Sequence, residues 1–261
     1  MGQAPLVSAR GVHVNVTAAW PSSPLYPLLE TSEFLAEENP LYFWRFVEAL
    51  SKKQDAIARK AGDVDALAAF AVDTAHAIAP HVKNMLELTI STRVHSPKIE
   101  MFRQLALDSG VRVCGEDVEA WAVLYKEKRC IASVACSKEE LAAALKNLTT
   151  TSSDQVCVAA GINDVELSVD HKYPHPVPPQ TGSVILYGSL GSPSLYAFHK
   201  RLFPLAKDGT IEYMLRHYPK DSTMETLLQG YGVALDIKNM EYKTIDDSKK
   251  SEKGGTASDG E

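Results

Sequence analysis

The stretch from Gly182 to Lys243 constrains the fold of this chain more than any other. Ser183-Val-Ile-Leu-Tyr-Gly188 is a continuous apolar run with the length of a buried strand. A turn, Ser189-Leu-Gly-Ser-Pro193, follows it. Apolar residues then recur at Leu195, Phe198, Leu202 and Leu205, which is one face of a helix. Lys207-Asp-Gly209 breaks the pattern, and Thr210 to Tyr218 reads as a second strand. A strand, a helix and a strand joined by a connection of this length predict a right-handed parallel crossover. Gly230-Tyr-Gly232 then leads into Val233 to Ile237 and Met240 to Ile245, which read as a closing antiparallel pair.

A parallel crossover followed by a hairpin is the second half of a thioredoxin-like fold. In a thioredoxin the reactive Cys-x-x-Cys occupies the turn after that first strand. Unpaired N–H groups and the helix dipole stabilise a thiolate there. Here the turn reads Ser189, Leu190, Gly191, Ser192, Pro193, Ser194, without a cysteine. Ser192 reads as a helix N-cap with Pro193 at the first helical position. The pattern predicts a scaffold that is kept and a redox chemistry that is lost.

The first half of the chain is different in kind. Residues 11–20 alternate like a half-buried strand, but residues 24–109 are helical almost throughout. Leu25, Leu28, Leu29 and Leu35 line one side of the first helix. Phe43, Phe46, Val47 and Leu50 recur at i, i+3, i+4 and i+7 in the second. Gly62-Asp63 opens a third, with Leu67, Phe70, Ala71, Thr74 and Ile78 inward, and Pro80 ends or kinks it. Val82, Met85, Leu86 and Thr89 continue the inward pattern. Ser96-Pro97 opens a helix with Ile99, Phe102 and Ala106 on one face. Amphipathic helices must bury their stripes against one another, so the reading is an all-helical subdomain inserted into an α/β scaffold. Strand signals return at Ala120 to Tyr125 and at Ile131 to Val134. Ser137-Lys-Glu-Glu140 is a capping box for a helix carrying Leu141, Leu145 and Leu148. His171 to Gln180 is proline-rich and reads as extended and on the surface. The expected domain covers residues 11–245. The last sixteen residues, 246–261, hold no apolar side chain larger than alanine and read as a disordered linker.

Charge and motifs exclude several function classes. A net charge of −6, with no basic stripe interleaved with aromatics, argues against nucleic acid as a partner. No apolar run reaches the length of a membrane span. Met1 to Leu6 has no signal-peptide core, and position 6 lacks the Ser or Thr that myristoylation prefers. Asp63-Val-Asp65 has the form of a metal-holding Asp-x-Asp, but carboxylates at a helix start are favoured by the dipole alone. His171 and His175 are separated by Pro174 and followed by Pro176, which forbid a helix that would put both on one face, so no metal is expected there. His76 and His81 straddle Pro80 without a partner motif. Tyr231 sits between glycines where thioredoxins place their cis-proline, and packing is its simplest role. No Gly-x-Ser-x-Gly, His-Glu-x-x-His or phosphate-cradling glycine loop occurs. The four cysteines, Cys114, Cys130, Cys136 and Cys157, form neither Cys-x-x-Cys nor a zinc spacing, and three disulfide connectivities are open to them. Together with sequons at Asn15 and Asn147 they favour an oxidising lumen over a set of buried cytosolic thiols.

Leu28-Leu-Glu-Thr-Ser-Glu-Phe-Leu-Ala-Glu-Glu38 followed by Phe43-Trp-Arg-Phe-Val-Glu48 resembles the start of the UDP-glucose:glycoprotein glucosyltransferases. Val184 to Ser189, Phe198-His-Lys-Arg-Leu202, Tyr213-Met-Leu-Arg-His-Tyr218, Gly230 to Leu235 and Glu241-Tyr-Lys243 resemble the same family, in order, across most of residues 15–245. The resemblance implies a first, redox-inactive thioredoxin-like domain of a folding sensor in the endoplasmic-reticulum lumen. Such a sensor adds glucose to N-linked glycans of incompletely folded glycoproteins. It also implies that the UDP-glucose and divalent-cation site lies in a transferase domain absent here, so this chain carries no catalytic residue and no cofactor. The implied partners are misfolded glycoproteins and other domains of the same protein. The resemblance further implies a Cys114–Cys130 pair, which a strand over Trp121 to Tyr125 with returning ends would permit; Cys136–Cys157 follows by difference. Asn147, at a helix end, is the better expected glycosylation acceptor; Asn15 lies in an expected strand. Two other functions are weighed against this one. A redox-active oxidoreductase would need an exposed low-pKa thiol, and a self-contained transferase would need a nucleotide pocket. The helical subdomain is the expected place for client contact, because a bare thioredoxin scaffold lacks it.

Overall fold

The computed structural model describes residues 25–108, 114–115, 117–127, 130–149, 158–159, 166–175 and 181–220. The chain divides into compact units Met1–Thr226 and Leu227–Glu261, and every described residue belongs to the first. The expected strand at 11–20, the closing pair at 233–245, Tyr231, Asn15, Cys157 and the tail at 246–261 lie outside the described residues.

The helical subdomain forms as the periodicity predicts. It comprises α1 (Tyr26–Glu38), α2 (Pro40–Ser51), α3 (Gln54–Lys60), α4 (Val64–Ile78), α5 (Lys83–Thr92) and α6 (Ser96–Asp108). The local chemistry of its joints is simple. Asn39 ends α1 and caps α2, its side chain accepting from the Leu41 amide, with Pro40 at the first helical position. Asp63 caps α4 by accepting from the Ala66 amide, which is the plain role of the Asp63-Val-Asp65 sequence. Pro80 starts a single 3₁₀ turn, Pro80–Val82, that re-aims the chain into α5. On α5 the inward residues are Val82, Leu86 and Ile90; Met85, expected inward, is 60% exposed. The turn at Pro80 rotates the stripe by about one position, so the pattern read across it as continuous misplaces Met85.

The helix α1 is unlike its neighbours. Every residue from Tyr26 to Leu35 is buried, including Glu30, Thr31, Ser32 and Glu33. It runs through the middle of the subdomain rather than along its surface.

The sheet has the order β3-β2-β1-β5-β6-β4. Its strands are β1 (Ala120–Glu127), β2 (Cys130–Ala135), β3 (Val158–Ala159), β4 (His171–Lys172), β5 (Ser183–Gly188) and β6 (Glu212–His217). The strands β5 and β6 pair in parallel across α8 (Pro193–Lys207), which is the expected crossover. The other pairs are antiparallel. Side chains alternate between two cores. Ala120, Ala122, Leu124, Val184, Leu186, Tyr213 and Leu215 face the larger one, shared with the helical subdomain, α7 (Lys138–Thr149) and α8. Trp121, Val123, Tyr125, Ile185, Tyr187 and Met214 face the smaller one. Burial on both faces is why β5 reads as an unbroken apolar run. The capping box of α7 forms, with the Glu140 amide donating to Ser137 Oγ and Glu140 Oε2 accepting from the Cys136 amide.

The disulfide expectation is corrected. Cys114 bonds Cys136, not Cys130, with the two Cα atoms 5.6 Å apart. The hairpin register explains this. Ala122 lies opposite Ala135 and Glu127 opposite Cys130, so the segment before β1 lies beside the end of β2. Cys130 stands at the far end of the hairpin, about six strand residues or 20 Å from Cys136. It is itself disulfide-bonded, to a partner outside the described residues. Non-reducing peptide mapping should recover Cys114 linked to Cys136. A Cys136→Ser variant should lose about 2–4 kcal/mol of stability in chemical denaturation.

Candidate functional site

The turn after β5 is where redox chemistry would sit, and the helical subdomain closes it. Leu190 is fully buried, and Ser189 and Ser192 nearly so. Gly191 adopts φ +100°, and a Cβ there would fall 2.8 Å from Leu25 Cδ2, 3.1 Å from Leu28 Cδ1 of α1 and 3.3 Å from Ile57 Cγ2 of α3. The Gly191 amide donates to Tyr196 Oη at 3.0 Å. Ser192 is the backbone N-cap of α8, as expected, but its hydroxyl does not cap the helix. It donates instead to Glu119 Oε2 at 2.7 Å. From Ser189 to Ser192 the turn therefore holds hydroxyls packed under apolar side chains.

A second constellation joins α1 to the sheet edge, and sequence reasoning missed it. Glu33 Oε1 accepts from His171 Nε2 at 2.7 Å and lies 3.1 Å from His217 Nε2. Lys98 Nζ of α6 is 2.7 Å from Glu33 Oε2. Ser32 Oγ donates to Leu29 O and lies 3.1 Å from His217 Nε2. Phe43 stacks on the His171 ring at 4.1 Å. Glu33 and His217 are fully buried. Burial pushes the Glu33 carboxyl up, but His171 and His217 outweigh it and hold the group well below its ordinary value. Burial holds His217 below its ordinary value, against the pull of Glu33. These three residues are also the set of described residues that could hold a metal ion, with ligand atoms within 4.8 Å of one another. The distances are those of hydrogen bonds. A tetrahedral ion bound at about 2.0 Å spreads its ligands to roughly 3.3 Å apart. Here both histidines close on one oxygen, and an ammonium meets the other. The arrangement is an electrostatic clamp.

Beside it, Glu30 accepts from the His95 amide at 3.1 Å and from the Ser96 hydroxyl. Burial raises the Glu30 carboxyl to about 7, partly offset by those two donors. On β6, Arg216 is fully buried and makes a two-pronged bond to Asp170, at 2.7 and 2.8 Å, with a third to Tyr187 Oη at 2.8 Å. His171 thus takes part in a site, but with His217 and Glu33 rather than His175. The signal was present in the sequence. Glu33 is followed directly by the apolar pair Phe34-Leu35 on a helix whose leucines face inward, and Arg216-His217 ends a strand buried on both faces, so each needs a buried partner.

A family model described as a thioredoxin-like domain matches residues 23–226, and the chain belongs to that family. Its sequence matches the thioredoxin-like part of the UDP-glucose:glycoprotein glucosyltransferases. It is 32% identical over 95% of its length to UDP-glucose:glycoprotein glucosyltransferase 2 of Homo sapiens. The values are 32% over 93% for the UDP-glucose:glycoprotein glucosyltransferase of Drosophila melanogaster and 31% over 92% for UDP-glucose:glycoprotein glucosyltransferase 1 of Mus musculus. The chain spans about 15% of the length of these relatives.

Two predictions follow from the clamp. Glu33→Ala strands two buried histidines and should cost about 3–5 kcal/mol in denaturant unfolding. Glu30 has a folded pKa of about 7 against 4.5 ordinarily, so its contribution to stability is complete below pH 4.5 and is lost as pH rises through 7. Unfolding measured from pH 4.5 to 8 should show Glu30→Gln gaining on the unsubstituted protein as pH rises, by about 3 kcal/mol across the window.

Proposed function

We propose that this chain is a non-catalytic thioredoxin-like domain of a UDP-glucose:glycoprotein glucosyltransferase, the first in its parent. It works in the lumen of the endoplasmic reticulum and helps to recognise incompletely folded glycoproteins. The observation that carries the recognition role is the placement of exposed apolar side chains. Among the described residues seven large ones are exposed. Six of them, Leu41, Met85, Leu88, Val94, Met101 and Leu107, stand in the helical subdomain. Met85 and Leu88 lie on the outer face of α5, at 60% and 54% exposure. A client that has not folded exposes apolar surface of its own, and a surface of this kind is what would meet it. Relatives named as glucosyltransferases support the parent activity, while the match to a small fraction of their length supports a non-catalytic share in it. UDP-glucose and a divalent cation belong, on this reading, to the transferase domain. The sealed Ser189 to Ser192 turn speaks against an oxidoreductase.

Capture of a denatured glycoprotein by the purified chain tests the proposal. Met85→Ser/Leu88→Ser should weaken capture about tenfold, by removing two apolar anchors at about 0.7 kcal/mol each, with little change in melting temperature. Equal capture by both proteins would move the client surface elsewhere. The luminal assignment has its own check. Asn147 is exposed on the last turn of α7, so expression through a secretory pathway should leave it bearing a glycan that a peptide N-glycosidase removes.

A further inference from the structure

A groove of about 560 Å³ lies on the opposite side of Trp44 from the clamp, between α2, α8 and the segment after β4. Its wall on α2 runs from Leu41 through Arg45, Glu48 and Lys52 to Lys53, a single stripe of that helix and its C-terminal end. Twelve residues of helical rise make this wall about 18 Å long. That length matches about five residues of extended chain. The floor is aromatic. Trp44 lies 5.5 Å from Tyr173 and 6.5 Å from Phe203, and Tyr173 lies 5.4 Å from Phe203, between ring centroids. The indole N–H is already spent on the Lys172 carbonyl at 3.1 Å, and Trp44 is 2% exposed, so it backs the half-buried rings of Tyr173 and Phe203 that face the groove. Leu41 stands at one end, 44% exposed.

The rim is positive in a chain whose net charge is −6. Arg45, Lys52, Lys53 and Lys207 line it, against the single carboxylate of Glu48. That carboxylate is itself engaged, 3.5 Å from Lys52 and 3.6 Å from His199. Among the described residues Arg45 and Lys207 meet no carboxylate; Lys207 lies over the Phe203 ring at 5.8 Å.

We infer that this groove binds an extended acidic segment of an incompletely folded polypeptide, with an apolar side chain on the Tyr173 and Phe203 rings that Trp44 backs, and flanking carboxylates on Arg45 and Lys207. The source of the segment rests on the client-recognition reading; the groove chemistry does not. An elongated wall favours a chain over a compact ligand. Rings beneath and cations above select a segment that carries both kinds of group. The site is distinct from the Met85–Leu88 face of α5, which offers apolar surface without a charged rim.

The test is isothermal titration of the 261-residue chain with a short acidic peptide in which one Phe and one Leu are flanked by Asp and Glu. Binding should weaken as salt is raised. It should be lost with a peptide carrying Ala for Phe and Leu, and with one carrying Lys for the acidic residues. The variant Arg45→Glu/Lys207→Glu changes two exposed side chains, and circular dichroism should show it folded; it should bind about tenfold or more weakly. No binding by the unsubstituted chain, or binding that the double reversal leaves unchanged, overturns the inference. A dimer in solution that the same reversal dissolves would place a second copy in the groove and also overturn it. Denatured-glycoprotein capture separates this from the broader reading. Capture retained by the reversal variant with no peptide binding defeats the groove alone. Peptide binding without capture defeats the client role alone.

Discussion

Putting a carboxylate-bearing helix through the centre of a protein is costly, and much of this structure meets that cost. The helix α1 buries Glu30 and Glu33 completely. An uncompensated buried carboxylate is worth several kcal/mol against folding. Glu33 is compensated by His171 of β4, His217 of β6 and Lys98 of α6. Glu30 is compensated by donors at the start of α6 and by taking up a proton near neutrality. The compensating groups come from β4, β6 and α6 and the residue just before it. The helix α1 is therefore satisfied only in the seating that brings the sheet edge and α6 against it. The clamp sets the position of the helical subdomain on the scaffold, where apolar packing alone would tolerate sliding.

That seating has a consequence for chemistry. With α1 and α3 fixed, Leu25, Leu28 and Ile57 press on Gly191, and the turn that serves a thioredoxin as its reactive centre becomes an internal joint. Glycine is required there both for its φ and for the close approach. The loss of the cysteines and the covering of the turn belong together. A buried polar turn is stable when its groups are tied locally, as Ser192 is to Glu119 and Gly191 to Tyr196.

The disulfide shows how topology outranks sequence distance. Cys130 is nearer to Cys114 along the chain than Cys136 is, and it is the partner that the family resemblance implies. An antiparallel hairpin inverts that order, because its turn end lies farthest from where its first strand began. A covalent link between Cys114 and Cys136 closes the open end of the hairpin, beside the smaller core that holds Trp121, Tyr187 and Tyr218.

Local sequence signals determined the helical insertion apart from the short α3, the β5–α8–β6 crossover, the α7 capping box and the absence of a thiol from the turn. Those features depend on residues close in sequence, and local rules suffice to read them. The outward turn of Met85 was not legible, since a 3₁₀ turn at Pro80 shifts the stripe by an amount that only coordinates give. Nor was the clamp, whose members are separated by 138 residues between Glu33 and His171 and by 185 between Ser32 and His217. The sequence could show that Glu33, Arg216 and His217 sit in apolar surroundings and so need partners. Which partners they take was decided by tertiary structure, because a buried charge is satisfied by whatever the fold brings within hydrogen-bond reach, and that reach has no signature along the chain.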